Sequence, residues 1–143
     1  MESSNYNGSH VIVRTRAEHE ALPMSLLLLA DPDQTAIDRY ASLCRWWLAT
    51  DNELIIGVCG ALQRSGLSWE IMNMAVLPEY AGQGIGSQLM KETLVSLDHE
   101  GAAEVIVCTG NSSLGALAFY QKQGFRIKAI DQDYFVRHYN ESI

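Results

Sequence analysis

Residues 80–87 of the chain read Tyr-Ala-Gly-Gln-Gly-Ile-Gly-Ser and separate two segments with different hydrophobic patterns. The segment before them, 67–77, is a long run rich in apolar residues that stops at Pro78, which predicts a strand. The segment after them, 84–99, repeats apolar residues with the period of an amphipathic helix. Glycines let the backbone approach a ligand closely, and the free N–H groups of a first helical turn favour phosphate. The stretch therefore predicts a phosphate-binding turn between a strand and a helix.

The glycine stretch does not match the two commonest phosphate-binding motifs. No Gly-Lys-Ser/Thr follows it, as a P-loop requires. Counted from Gly82, the dinucleotide pattern G-x-G-x-x-G fails because its last position is Ser87. Three glycines are also compatible with a flexible turn that binds nothing. From these residues alone, both interpretations stay open.

The remaining sequence predicts blocks of strand and helix on either side of this turn. Hydrophobic periodicity and turn residues give the order β-α-α-β-β-β-α-β-α-β-β. Strands are predicted at 10–15, 44–50, 53–63, 67–77, 104–108, 125–130 and 134–139, and helices at 18–30, 31–42, 84–99 and about 112–124. One mixed, mostly antiparallel sheet flanked by helices accounts for every element, so the predicted fold class is α/β (α+β) in one domain.

Local signals predict how some of these elements begin and where they lie. Pro23 fits the first turn of the first helix. Asp31 is predicted to cap the second helix, with Pro32 at its first position and Gln34 completing a capping box. Residues 104–108 form an apolar run of the kind that is buried on both faces of a sheet.

Composition limits the class of protein and of partner. The chain has 143 residues, 48% of them hydrophobic and 19% charged, which suits one globular domain over residues 10–143 behind a flexible tail at 1–9. The net charge of -7 argues against a nucleic-acid partner. It favours cationic substrates, or it serves solubility alone. Without a signal core or a membrane-length apolar run, a cytoplasmic protein with no membrane partner is predicted.

The three cysteines, Cys44, Cys59 and Cys108, each lie inside an apolar run. Their number is odd, and they show neither C-x-x-C spacing nor a nearby His partner, so neither a disulfide framework nor a metal site is predicted. Buried free thiols are the favoured interpretation. Cys108 lies near the predicted active site, and a nucleophilic role is its alternative.

The glycine stretch resembles a motif of the GNAT superfamily of N-acetyltransferases. That family carries Gln/Arg-x-x-Gly-x-Gly/Ala between its fourth strand and third helix, where it binds the pyrophosphate of coenzyme A. Here the pattern falls on residues 81–86, and Gly84 and Gly86 match it. Ala81 departs from the pattern at the position of the usual Gln or Arg. The departure concerns one polar contact and leaves the backbone amides in place.

Further segments extend the resemblance along the chain. Residues 70–76 (Glu-Ile-Met-Asn-Met-Ala-Val) are similar to the family's fourth strand, and 119–125 (Phe-Tyr-Gln-Lys-Gln-Gly-Phe) to its aromatic-Tyr-x-Lys-x-Gly-Phe segment. Residues 110–113 and 138–141 are similar to those of small bacterial members. Three motifs in the right order are more specific than any one of them. The resemblance implies an N-acetyltransferase domain over 10–143.

The resemblance implies acetyl-coenzyme A as co-substrate, without a metal. The main chain of Met74, Ala75 and Val76 is predicted to bind the pantetheine arm, as in strand addition. Asn111, which follows the apolar strand, is implied as a coenzyme contact or serves as a turn or helix cap. The predicted cofactor-binding residues are Met74, Ala75, Val76, Ala81, Gly82, Gln83, Gly84, Ile85, Gly86, Ser87, Asn111 and Tyr120.

Acetyl transfer to an amine requires a base for the ammonium and an acid for the leaving thiolate. Tyr120 is the predicted acid, because the family's tyrosine at this place lies beside the coenzyme A sulfur. Glu70 is the predicted base, or a water chain takes that role. On a regular strand Glu70 would share an apolar face with Met72, Met74 and Val76, which would raise a carboxylate's pKa.

The predicted function is acetyl transfer from acetyl-coenzyme A to an amine of a small molecule or peptide, by direct attack in a ternary complex. The alternatives are a non-catalytic acyl-coenzyme A sensor of the same fold and an unrelated nucleotide-binding α/β protein. The first two helices and the final hairpin are expected to form the acceptor pocket, and no substrate signature is found in them. A homodimer is left open as the assembly.

Overall fold

A computed structural model of the chain describes residues 10–108, 114–129 and 134–138. The tail predicted at 1–9 and Asn111 lie outside these ranges. The strands are β1 Val11–Thr15, β2 Arg45–Asp51, β3 Leu54–Ser65, β4 Ser68–Val76, β5 Glu104–Cys108, β6 Arg126–Ala129 and β7 Tyr134–His138. The helices are α1 Met24–Ala30, α2 Gln34–Tyr40, α3 Ile85–His99 and α4 Leu114–Lys122, with a 3-10 turn at Pro78–Tyr80.

The described strands form one sheet in the order β1-β2-β3-β4-β5-β7-β6. Every neighbouring pair is antiparallel except β4 and β5, which run parallel and are joined by α3. The predicted element order and the mixed, mostly antiparallel sheet are confirmed. α3 crosses between the two parallel strands, as a parallel connection requires.

Helices cover both faces of the sheet. On one face, α3 buries Leu89, Met90 and Leu97 against Trp47 and other sheet residues. On the opposite face, α1 and α2 bury a second cluster, whose members are Leu26, Leu27, Ile37, Tyr40, Trp46, Leu48, Val58 and Ala75. Fully burying one large apolar side chain contributes about 1.5–3 kcal/mol, so each face holds its helices firmly. No helix in the described ranges is long and apolar enough to cross a membrane.

A β-bulge interrupts β4 at Met72. Ala61 of β3 is opposite Ile71 and Gly60 is opposite Asn73, which leaves Met72 without a residue opposite it. An extra residue in one strand bends that strand and re-aims the side chains beyond it. The bulge therefore exchanges the two faces of the sheet for the β4 side chains that follow it, relative to a regular strand.

The parallel pairing of β4 with β5 ends at the same point. It extends from Ser68 opposite Glu104 to Ile71 opposite Val107, whereas β4 continues to Val76. Beyond the bulge, β4 still pairs with β3, with Met74 opposite Cys59. On its other side, the last part of β4 has no partner strand among the described residues. This open strand edge is the feature of the sheet that positions the candidate site.

Three local predictions are wrong in detail. The first helix begins at Met24, with Pro23 at its N-cap, because residues 16–20 form a turn around the Arg14–Glu20 ion pair. The second helix is capped by Asp33, whose Oδ1 atom accepts a hydrogen bond from Ala36 N at 3.2 Å. Gln34 is then the first helical residue and cannot complete a capping box. β5 is fully buried on one face only.

Candidate active site

The loop before α3 has the backbone geometry of an anion-binding turn. Gly82 and Gly84 both have φ of 80°, the left-handed region that favours glycine. Gly84 is the N-cap of α3 and supplies no side-chain hydrogen bond. The first backbone bond of the helix there is from Gln88 N to Gly84 O, at 3.0 Å. The N–H groups of the preceding turn thus have no acceptor within the helix, and its first turn holds no acidic residue.

Space above this turn is open. A Cβ atom built on Gly82 or Gly84 would have no atom within 4 Å among the described residues. Ala81 and Gln83 are exposed, whereas Ile85 is buried and anchors the start of α3 in the core. A ligand could therefore reach the amides without displacing a side chain.

Gly86 lies where three elements meet. A Cβ atom on Gly86 would lie 3.6 Å from Met74 Cε on β4 and 3.7 Å from Phe119 Cε1 on α4. One residue later, Ser87 Oγ accepts a hydrogen bond from Gln123 Nε2 at 3.0 Å. The start of α3, the end of β4 and the end of α4, which carry the three sequence motifs, are thus brought together.

Met74, Ala75 and Val76 occupy the open edge of β4. Their partners on β3 are Cys59, Val58 and Gly57, respectively. Met74 and Val76 pack towards α3, whereas Ala75 packs towards α1 and α2. Backbone groups that point away from β3 at this edge are available to an extended, amide-containing ligand.

Tyr120 packs on the α3 side of the sheet between two aromatic rings. Its ring is 5.3 Å from that of Phe119 and 5.8 Å from that of Phe125, both in edge-to-face geometry. Burial raises the pKa of Tyr120 to about 12. The hydroxyl therefore keeps its proton at neutral pH and can act as a donor.

The surroundings predicted for Glu70 are wrong. Because of the bulge, Met74 and Val76 face α3, whereas Glu70 and Met72 face α2. Glu70 is bound by Arg64 of β3, whose Nε and Nη2 atoms lie 2.7 and 2.6 Å from Glu70 Oε1. An ion pair thus replaces the apolar face. Glu70 Oε2 has no hydrogen-bond partner among the described residues.

Three residues that the sequence analysis did not assign to the site, Asn73, Tyr40 and Asp31, connect β4 to α2 through hydrogen bonds. Asn73 of β4 is buried, and its Nδ2 atom donates to Leu27 O at 3.0 Å and to the Tyr40 hydroxyl at 3.1 Å. The Tyr40 hydroxyl donates in turn to Asp31 Oδ2 at 3.0 Å. Burial raises the pKa of Tyr40 to about 12, so it stays protonated. The signal that could have revealed them was Asn73, a lone amide in an apolar strand.

A cavity of about 380 Å³ opens between α2, β3 and β4. Its lining residues are Asp31, Ala36, Arg39, Tyr40, Leu62, Arg64, Glu70, Ile71 and Met72. Larger cavities lie elsewhere: two, of about 600 and 710 Å³, are lined by none of the predicted site residues, and one, of about 460 Å³, is lined by Ser87 of α3. Size alone therefore does not identify the site. The cavity of about 380 Å³ is the one that Glu70 lines, and its lining also includes Met72, two residues before Met74.

Two further elements of the sequence prediction concern metal binding and Asn111. Within 10–108, 114–129 and 134–138, no group of three His, Cys, Asp or Glu side chains could hold a metal ion. Asn111 lies outside the described residues, so its predicted coenzyme contact stays a prediction.

Comparison with known proteins identifies the family of the chain. Residues 42–127 match the family model described as acetyltransferase (GNAT) domain. The chain is also 40% identical over 118 residues to a Bacillus subtilis protein named "Uncharacterized N-acetyltransferase YvbK". That alignment covers 82% of this chain and 76% of the relative.

Two solved structures share the fold over most of both chains. A GNAT family acetyltransferase from Elizabethkingia anophelis, solved with acetyl-CoA bound, superposes with a TM-score of 0.82 at 29% identity and covers 90% of this chain and 98% of that one. A Bacillus subtilis acetyltransferase in complex with CoA superposes with a TM-score of 0.79 at 27% identity, with the same coverage.

Proposed function

Because the chain belongs to the GNAT superfamily of acetyltransferases, we propose that it transfers the acetyl group of acetyl-coenzyme A to an amine of a small molecule or peptide. The observation that carries this proposal is the open edge of β4 at Met74–Val76, beside the glycine turn at the start of α3. Acetyl transfer is the activity of the family. The amine acceptor and the residue roles below are proposed.

The residues present fit coenzyme A in two respects. The amides of Gly84, Ile85 and Gly86 suit the pyrophosphate, because they begin a helix of 15 residues and the space beside Gly84 is open. The open edge of β4 suits the amide-containing pantetheine arm. Acetyl-coenzyme A, when bound, supplies the acetyl group as a thioester.

Tyr120 is proposed to hold the proton that the leaving sulfur needs. Its raised pKa of about 12 favours the protonated form, and thiolate protonation requires a donor that is still protonated at neutral pH. Tyr120 lies on α4 beside Phe119, whose ring is close to Gly86, and this position supports the assignment.

Glu70 is proposed to accept the proton of the acceptor ammonium, directly or through water, through its unpaired Oε2 atom. Its Oε1 atom is bound by Arg64, which fixes the orientation of the carboxylate. With the proton removed, the amine nitrogen attacks the thioester directly while both substrates are bound. The cytoplasmic location and the homodimer stay predictions.

Two measurements test the proposed function. Acetyl-coenzyme A at 100 times its dissociation constant should stabilise the fold by about 2.7 kcal/mol, seen as a higher melting temperature. Thiol release from acetyl-coenzyme A should then depend on an added amine from a panel of amines, amino acids and peptides. Coenzyme-dependent stabilisation without thiol release would instead support the acyl-coenzyme A sensor. Stabilisation by NAD or ATP, but not by coenzyme A, would contradict both.

A further inference from the structure

Four charged residues line the cavity between α2, β3 and β4, and only two of them form an ion pair. Arg64 and Glu70 form an ion pair with each other across the two strands. Their charges largely compensate. Asp31 and Arg39 form no ion pair with any described residue. The cavity thus presents one uncompensated negative and one uncompensated positive charge.

Asp31 is held in place by neutral donors. Its Oδ1 atom accepts a hydrogen bond from Asp33 N at 3.0 Å, and its Oδ2 atom accepts one from the Tyr40 hydroxyl at 3.0 Å. Neither partner neutralises the carboxylate. Tyr40 is in turn bound by Asn73, the residue directly before Met74. Two consecutive hydrogen bonds therefore connect Asp31, through Tyr40, to Asn73 of β4, where the open edge begins. These bonds position the Asp31 carboxylate to bind a cation that comes to that edge.

Arg39 lies in the last turn of α2, one residue before Tyr40. Among the described residues its guanidinium makes neither a hydrogen bond nor an ion pair. A guanidinium binds carboxylate and phosphate groups through paired hydrogen bonds, so a free one in a cavity is suited to an anion. A volume of about 380 Å³ is within the range of small-molecule sites.

We propose that this cavity selects acceptors that carry an anionic group together with the amine, as amino acids do. Arg39 binds the anionic group and Asp31 binds the ammonium before its proton is lost. The inference rests on the proposed function, which it narrows from amines in general to zwitterionic amines. Arg39 is exposed at the rim of the cavity, so a cationic amine without an anionic group would gain no hydrogen bond from its guanidinium, which would stay bound to water.

Matched acceptor pairs test this inference. The pairs are amino acids and the amines that result from their decarboxylation: phenylalanine and phenethylamine, lysine and 1,5-diaminopentane, histidine and histamine. The wild-type enzyme should have the higher kcat/KM for the carboxylate-bearing member of at least one pair. Arg39→Met should lower that value about tenfold or more and leave the decarboxylated member within twofold. Arg39→Lys should restore part of the preference.

Two further variants separate the roles. In Asp31→Asn the amide oxygen can still accept from Asp33 N, and the amide NH2 group can donate to the Tyr40 hydroxyl, but the negative charge is removed. The variant should therefore lower kcat/KM for both members of a pair and preserve their ratio. Arg126→Met is the control for net charge, because Arg126 is an exposed arginine outside the cavity that donates to the carbonyl of Phe125. Its ratio and rates should equal those of the wild type.

The outcomes distinguish this inference from the proposed function. If the wild-type enzyme acetylates both members of every pair equally, or if Arg39→Met leaves the ratio unchanged, the inference is wrong and the acetyltransferase function stands. If no amine supports thiol release, the proposed function fails. Calorimetric binding of the same pairs in the presence of coenzyme A then decides: selective binding of the amino acid that is lost in Arg39→Met supports the inference, and its absence overturns it.

Discussion

Gly86 lies against Met74, so that a Cβ atom on Gly86 would be 3.6 Å from Met74 Cε. This distance is an ordinary van der Waals contact, and a methyl group fits there without displacement. A larger side chain at Gly86 would press on Met74, which lies at the open edge of β4, and on Phe119, which precedes Tyr120 on α4. The contact therefore couples the glycine turn to both other parts of the site.

Substitutions of the glycines should separate strain from binding. Gly84→Val should lower stability by about 1–2 kcal/mol, because φ of 80° is unfavourable for a residue with a Cβ atom. It should also abolish stabilisation by acetyl-coenzyme A in a thermal-shift measurement. Gly101→Val is a matched control at the other end of α3, with φ of 89° and equally open space. It should lose similar stability and keep the response to the coenzyme.

Gly86 should tolerate alanine but not valine. We expect Gly86→Ala to fold and to bind acetyl-coenzyme A, because the added methyl group meets Met74 at an ordinary distance. Gly86→Val should abolish coenzyme binding in the same thermal-shift measurement. Equal coenzyme responses of both variants would show that the Gly86–Met74 contact does not shape the site.

Removal of the Tyr120 hydroxyl should affect turnover more than binding. Tyr120→Phe keeps the ring contacts with Phe119 and Phe125, and loss of a general acid typically costs about 10²- to 10⁴-fold. The loss should appear in kcat with little change in the dissociation constant of acetyl-coenzyme A. Tyr80→Phe, which removes a hydroxyl bound to Asp51, is the control with normal turnover. Normal chemistry-limited turnover of Tyr120→Phe would remove Tyr120 from the mechanism.

The contribution of Glu70 should depend on pH. Glu70→Gln should lower turnover at pH 7, where only about one primary amine in several thousand is unprotonated, and the defect should shrink as pH rises. Rates of wild type and variant measured from pH 7 to 9.5 give this ratio. Glu92→Gln, an exposed carboxylate on α3, is the control. A defect that does not change with pH would contradict a role of Glu70 in proton removal.

The Arg14–Glu20 ion pair should make stability depend on acid pH. Hydrogen bonds from Arg14 and from Ala17 N lower the pKa of Glu20 from 4.5 to about 2. A lowered folded-state pKa gives stability that is present above about pH 4.5 and lost as pH falls towards 2. Urea unfolding of wild type and Glu20→Gln should therefore differ at pH 7 and converge over that window. Salt should reduce the difference, because the pair is at the surface.

The thiols should not take part in acetyl transfer. Burial raises the pKa of both Cys44 and Cys59 to about 12, so neither should react with iodoacetamide at pH 8 in the folded protein. Peptide mass spectrometry measures the labelling. Cys108→Ser should retain turnover; if it abolished activity with coenzyme binding intact, a covalent acyl-cysteine route would replace direct transfer.

Much of the fold could be predicted from the sequence, because it depends on local pattern. The period of residues 85–99 defines α3, and glycines at 82 and 84 are required by backbone angles that other residues avoid. The order of strands and helices then leaves few ways to close one mixed sheet. The family could be inferred from the order and spacing of three sequence motifs, which can be recognised without knowing any tertiary contact.

The surroundings of Glu70 and the charges of the cavity between α2, β3 and β4 were decided only by the tertiary structure. Strand alternation predicts one face for Glu70 and Met74, but the bulge at Met72 separates them, and it arises from the register between β3 and β4. The same register brings Arg64 to Glu70. Asp31 and Asn73 are 42 positions apart and are joined only through Tyr40, when α2 packs on the sheet. Such contacts depend on non-local pairing, which no local sequence pattern records.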